Sequence, residues 1–160
     1  MLLCEDILLL GTDDETGARR STMGQLFELV IAGALLNDLT LAGQVRLTEP
    51  GEDVRRNRVV AVPEASAADD NLLLITRARL EQKRSWEMTY AVRVLQKNLV
   101  RLLYGRLIAA EMITREDHMA LGFIPYRRCP SVDGSHDLGL LAAIGGVLFE
   151  ARRPTTTRRR

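Results

Sequence analysis

Apolar side chains recur three and four residues apart between Leu26 and Leu41, at Phe27, Val30, Ile31, Ala34, Leu35 and Leu39. That spacing is one face of an α-helix. Ser21 or Thr22 supplies a capping side chain before it, and Gly43 supplies a stop after it. Gly33 lies between Ala32 and Ala34, and small residues there predict close helix packing. Upstream, Glu5 to Leu10 is an apolar run headed by two acids, which suit the positive end of a helix dipole. It stops at Gly11, and Thr12 to Gly17 is a polar turn.

The period then changes. Gln44 to Thr48 alternates polar and apolar, as a half-buried strand does. Arg58 to Val62 is a second strand, and the two form a small antiparallel hairpin with Arg55, Arg56 and Arg58 near its tip. Asp69 or Asp70 caps the next helix, through Leu72, Leu73, Ile75 and Leu80 to Lys83. Trp86 opens the longest helical pattern, which runs to about Met112. Thr114 to Asp117 has the start of a capping box and predicts a further short element. Leu121 to Tyr126 reads as strand. Leu138 to Phe149 reads as an apolar helix buried against the rest, and residues 151–160 as a disordered, arginine-rich tail. The expected fold is a mainly α, compact single domain over residues 1–150 with small antiparallel β-hairpins.

Composition narrows the chemistry. Aromatics make up only 4% of the 160 residues, so Leu and Ala must fill the core, which favours helices. The formal charge of +1 gives no general attraction to nucleic acid, and no specific nucleic-acid partner is expected. Of the 22 basic residues only Lys83 and Lys97 are lysines, and arginine grips phosphate with a planar fork. Cys4 and Cys129 form no CxxC pair, and each reads as an idle thiol. The N-terminus lacks the basic region of a signal peptide, and no stretch approaches the ~20 apolar residues of a membrane span. The expectation is a cytoplasmic protein that touches a membrane only from its surface.

Catalytic and metal-binding patterns are missing. His118 and His136 fall in separate segments with no spaced ligand partner. There is no GxSxG, no phosphate-binding loop and no dinucleotide fingerprint. Asp13, Asp14 and Glu15 are adjacent, which is a turn rather than a dyad across a cleft. No metal, cofactor or enzyme activity is expected.

Basic side chains are the remaining signal. Arg93, Lys97 and Arg101 step by four along the long helical pattern and share one slowly drifting stripe. Cations on a fixed scaffold are a seat for a phosphate or an anionic head group. The plain alternative is a solvated face with Glu87 as partner. Arg19 and Arg20 precede a helix N-terminus, where an anion is favoured. Met23, just beyond, is an apolar side chain placed to dip into lipid or to join the core. The terminal arginines at 152, 153, 158, 159 and 160 would also be drawn to an anionic bilayer.

Glu5 to Leu10, Asp13 to Gly17, Ala32 to Leu36, Leu39, Leu41 to Gly43 and Val45 to Leu47 follow one another in a familiar order. A second stretch runs from Leu99 through Leu107 and Ile108 to Thr114. Across roughly residues 3 to 130 the chain resembles the Golgi phosphoprotein family, the phosphatidylinositol-4-phosphate-binding Golgi adaptors and their bacterial relatives. The resemblance implies a compact helical domain without enzyme activity, peripheral to a membrane: the cytosolic face of the Golgi, or the cytoplasm of a bacterium. It implies arginines in a shallow pocket and an aromatic residue that enters the bilayer. By this resemblance Lys97 stands at one head-group arginine, and Val100 at another with Arg101 beside it. Met23 replaces the inserting tryptophan, and Ala32 replaces an arginine. A late hairpin near Gly122 to Pro130 is associated with self-association. Gly134 to Phe149 departs from the pattern, which implies a shortened or divergent member.

Two functions compete at this level. One is a non-enzymatic peripheral domain that holds a phosphoinositide or other anionic phospholipid with Lys97, Arg101, Arg93, Arg19 and Arg20, with Met23 in contact with the membrane. The other is a protein-interaction or self-associating module, docking through Leu138 to Phe149.

Overall fold

A computed structural model describes residues 1–13, 24–66, 68–114, 116–120, 124–128 and 135–149. In chain order the described elements begin with helices α1 (Leu3–Leu10) and α2 (Gln25–Leu41). Strands β1 (Val45–Leu47) and β2 (Arg58–Ala61) follow, then α3 (Asn71–Leu80), β3 (Trp86–Glu87), α4 (Met88–Gln96) and α5 (Leu99–Ala109). Strands β4 (Glu116–Ala120) and β5 (Ile124–Arg128) and helix α6 (Ser135–Phe149) complete the set. The fold is mainly α, as the pattern of periods predicts.

Helix α2 is the centre of the packing. It touches α1, α3, α4, α5 and β1. Ile31, Leu35 and Leu39 are buried along it and meet Leu8 of α1, Leu95 of α4, and Leu103 and Leu107 of α5 in one apolar core. Burying each such side chain stabilises the fold by about 1.5–3 kcal/mol. The capping residues for α2 at Ser21 or Thr22 lie outside the described residues.

Polar contacts fix the ends of the helices. Asp38 of α2 is buried, and its carboxylate accepts from the N–H groups of Leu3 and Cys4 at 3.0 and 3.1 Å. It caps α1 from a distant part of the chain, which satisfies donors that the helix itself cannot. Glu5 reaches back to the Leu2 N–H at 2.9 Å. Asp70, one of the two caps expected for α3, accepts from Leu72 and Leu73. Arg106 of α5 then joins both acids. Its Nε donates to Glu5 at 2.7 Å, and its two terminal nitrogens donate to Asp70 at 3.2 and 2.7 Å. The Cys4 thiol is buried, and burial pushes its titration far up, with the Asp38 charge adding to the effect. Cys129 lies outside the described residues.

Several expectations are corrected. The β1–β2 hairpin forms, with Val45 opposite Ala61 and Leu47 opposite Val59. Trp86, however, extends it as a third antiparallel strand opposite Val59 rather than opening a helix. Its ring is buried and its indole N–H donates to the Leu80 carbonyl at 2.7 Å. The long helix is two helices. Lys97 is extended (φ −60°, ψ 116°) and Asn98 is left-handed (φ 63°), a conformation asparagine tolerates better than most residues. Glu116 and Asp117 open a strand, since β4 pairs with β5 from Glu116 opposite Arg128 to Ala120 opposite Ile124. This places His118 in a strand rather than a loop. The hairpin spans Glu116 to Arg128, so of its two strands only β5 falls in the stretch near Gly122 to Pro130 where the resemblance places one, and residues 121–123 lie outside the described residues.

Helix α6 forms where the apolar run lies, but its described side chains are not buried against the rest. Leu138, Leu141 and Ile144 are exposed, Leu138 at 70%. Its main packing is against α1.

Gly33 is also corrected. A Cβ there would meet nothing within 4 Å, so close helix packing does not explain it. Gly11, by contrast, sits under Phe27, whose ring would stand 2.1 Å from an added Cβ. Gly33→Ala should therefore raise stability by about 0.5–1 kcal/mol by restoring helix propensity. Gly11→Ala should lower it by about 1–3 kcal/mol through overpacking. Urea unfolding midpoints measure both.

A second prediction concerns Asp70. Burial pushes its carboxyl up, but hydrogen bonds from Arg106 and from the Leu72 and Leu73 N–H groups outweigh this, and it titrates below its ordinary value of 3.8. The unfolded chain takes up that proton at higher pH than the fold does. The stabilisation is thus complete above the ordinary value and is lost as pH falls through the lower folded value. Thermal midpoints measured from pH 6 to pH 2 should fall, and Asp70→Asn should flatten that fall while lowering the midpoint at pH 6.

Candidate functional site

The site is built by the end of α3, the body of α4 and the break that follows it. Arg79 lies in the last turn of α3, and Gln82 follows that helix. Tyr90, Arg93 and Val94 project from α4, and Lys97 and Asn98 form the break. Together they line a shallow depression of about 590 Å³. Arg93 and Lys97 meet there as the four-residue spacing implies, since both belong to the α4 register. Arg101 is exposed on α5, but it is not among the lining residues. The break separates it from them: an extended Lys97 followed by a left-handed Asn98 restarts the helix on a new axis. Arg79 takes its place, from a helix some twenty residues away that periodicity within one segment cannot bring in. Arg19, Arg20 and Met23 lie outside the described residues.

The charges of the depression are not cancelled locally. Among the described residues, no ion pair engages Arg79, Arg93 or Lys97, and Glu87 is held in β3 without bridging Arg93. Four other described arginines are committed to carboxylates, while Arg55, Arg56 and Arg101 are exposed elsewhere. Arg46 forms a two-pronged pair with Glu52 at 2.7 and 2.8 Å, which draws the Glu52 carboxyl down to about 2. Arg77 holds Glu81, the Val62 carbonyl and Gln44. Arg84 faces Asp53 at 3.5 Å, and Arg106 holds Glu5 and Asp70. Three cations left open around one hollow form a field that attracts an anion.

One wall is aromatic. Tyr90 stacks on Trp86 with ring centroids 5.6 Å apart and planes 15° apart. The Lys83 ammonium lies 4.4 Å from the Trp86 centroid and 5.2 Å from that of Tyr90, a cation–π contact with both rings. Buried Trp86 thus anchors the half-exposed Tyr90, and a fourth positive charge is held beside the depression. Sequence reasoning passed over Arg79, Tyr90 and Lys83. The i, i+4 step from Trp86 to Tyr90 is the one local signal that could have indicated the stack.

Among the described residues no group of three or more His, Cys, Asp or Glu side chains could hold a metal ion. Glu5 and Asp70 come from separate elements and approach one site, but Arg106 lies between them and takes up both. Ala32 and Val100 are buried in the core, at 0% and 8% exposure, so in this chain neither position faces a ligand.

The family model described as Golgi phosphoprotein 3 (GPP34) matches residues 3–160. The chain belongs to this family. The match runs beyond the stretch that carries the resemblance in the sequence, through α6 and the last residue. No curated protein matches the chain. No described helix of this Golgi phosphoprotein family member is long and apolar enough to cross a membrane.

Proposed function

We propose that this member of the Golgi phosphoprotein family is a non-enzymatic module that binds anionic lipid head groups at a membrane surface. Phosphatidylinositol 4-phosphate is the head group that the family suggests, and the Golgi or, in a bacterium, the inner surface of the cell membrane is the corresponding place. The observation that carries the reading is the group of Arg79, Arg93 and Lys97 around one depression, with no ion pair to any of them among the described residues. Arginine supplies a fork for phosphate oxygens and lysine a mobile point charge. Arg101, on the next helix, adds to the field from outside the depression, and Arg19, Arg20 and Met23 remain candidates for the same membrane face. With Ala32 and Val100 buried, recognition rests on charge more than on a tailored set of contacts.

Co-sedimentation with vesicles tests this. Binding should require anionic lipid and weaken with salt. Each basic residue near such a surface contributes roughly 1 kcal/mol, so reversing both charges in an Arg93→Glu, Lys97→Glu variant should cost on the order of a hundredfold or more in partitioning. Removal of residues 151–160 should cost less. Equal binding to neutral and anionic vesicles would sink the reading, and loss confined to the tail deletion would move the site to the tail.

A second reading has its own observation, the exposed apolar face of α6. Leu138, Leu141 and Ile144 step by three along one side of the helix, with Gly139, Ala142 and Ala143 also exposed. A patch of this kind favours self-association through a close helix pair. Light scattering should then give a mass near twice 17.9 kDa, returning to the single-chain value in a Leu138→Glu, Leu141→Glu variant.

A further inference from the structure

The depression lies within a larger face that has not only charge but a composition suited to lie on a bilayer. Along α3, Ile75 and Arg79 are one turn apart on the same side, and Gln82 continues their line. Along α4, Tyr90, Arg93 or Val94, and Lys97 form the facing line. Both lines reach the depression: Arg79 and Gln82 of the first and Tyr90, Arg93, Val94 and Lys97 of the second are among its lining residues. Two large apolar side chains beside these cations stand in solvent: Ile75, one turn before Arg79, is 52% exposed, and Tyr90, itself in the lining, is 50% exposed. Residues 71–98 carry six basic and two acidic side chains, against +1 for the whole chain. One of the two acids, Glu81, is turned onto Arg77 at 2.9 Å.

We infer that the α3–α4 face lies flat on an anionic bilayer, with Ile75 and Tyr90 entering the head-group layer beside the cations. This rests on the anionic-lipid reading above and adds an orientation and two contact residues to it. Tyrosine suits that depth, since its ring is apolar and its hydroxyl stays wet. The charge complementarity selects a lipid surface over an apolar partner protein, which would have to bury Arg79, Arg93 and Lys97 without counter-charges. Trp86 and Lys83 act as positioning residues. The buried indole fixes the Tyr90 ring by stacking, and the ammonium over both rings holds the pair.

The chain carries its own reporter. Trp86 is the sole tryptophan, and it lies directly beneath Tyr90. Full-length protein is mixed with anionic phosphatidylserine vesicles whose neutral lipid is brominated near the head-group end of its chains. Trp86 emission should be quenched relative to vesicles without bromine. Tyr90→Ser and Ile75→Ser should each weaken partitioning about fivefold, the loss expected when a half-exposed apolar side chain no longer enters lipid. Ile75→Ser should leave the thermal midpoint near the wild-type value, because that side chain is already half in solvent, whereas Tyr90→Ser should lower it slightly by removing the stack on Trp86. If the protein sediments with anionic vesicles, loses binding in Arg93→Glu, yet keeps Trp86 unquenched and binds normally as Tyr90→Ser and Ile75→Ser, the orientation is wrong and the head-group reading stands. If sedimentation shows no preference for anionic lipid, both fall together.

Discussion

Arg106 is the contact through which the helical half of the molecule is held in register. Its guanidinium takes Glu5 at the start of α1 and Asp70 at the cap of α3, so one side chain on α5 sets the position of two other helices. Burial alone would lower the tendency of Arg106 to stay charged, but the two carboxylates outweigh burial and keep it more firmly protonated than usual. Pairs of this kind fix geometry more than they add stability, because each charge gives up hydration to form them. The consequence reaches the candidate site. Asp70 also caps α3, and the last turn of that helix carries Arg79 to the depression.

The second constraint is the interruption after Gln96. A continuous helix would have carried Lys97 and Arg101 along one stripe. The left-handed Asn98 turns the chain instead, so that Leu99, Leu103 and Leu107 can bury against α1 and α2 while Lys97 stays with Arg93. Packing of α5 and assembly of the basic depression are thus two results of one backbone event. Among the described residues, the charge around that hollow is positioned by the fold without an ion pair.

Much of this architecture was legible in the chain. The 3.6 period found α2 and α3, the alternation around Val45 and Val59 found the hairpin, and Gly43 marked a turn that the backbone adopts at positive φ. The misses have two causes. Trp86 and Glu116 enter strands because a partner elsewhere in the chain pairs with them, Val59 for Trp86 and Arg128 for Glu116, while the break at Asn98 rests on a left-handed backbone that asparagine tolerates. The site was half legible. Arg93 lies on α4 and Lys97 directly follows its last residue, so the two could be paired by counting, whereas Arg79 joins them only through the tertiary fold.

By itself, then, the sequence determined what is local: helix period, strand alternation, the aspartate cap of α3, an arginine-rich supply of cations and the family to which the chain belongs. Tertiary structure decided which of those cations remain open. Arg46, Arg77, Arg84 and Arg106 look no different from Arg79 and Arg93 in the sequence. They differ because folding brings a carboxylate or carbonyl within about 3.5 Å of the first four and, among the described residues, no ion-pair partner to the others. Charge is written residue by residue, but its cancellation is a matter of distance, and only the packed chain sets distances.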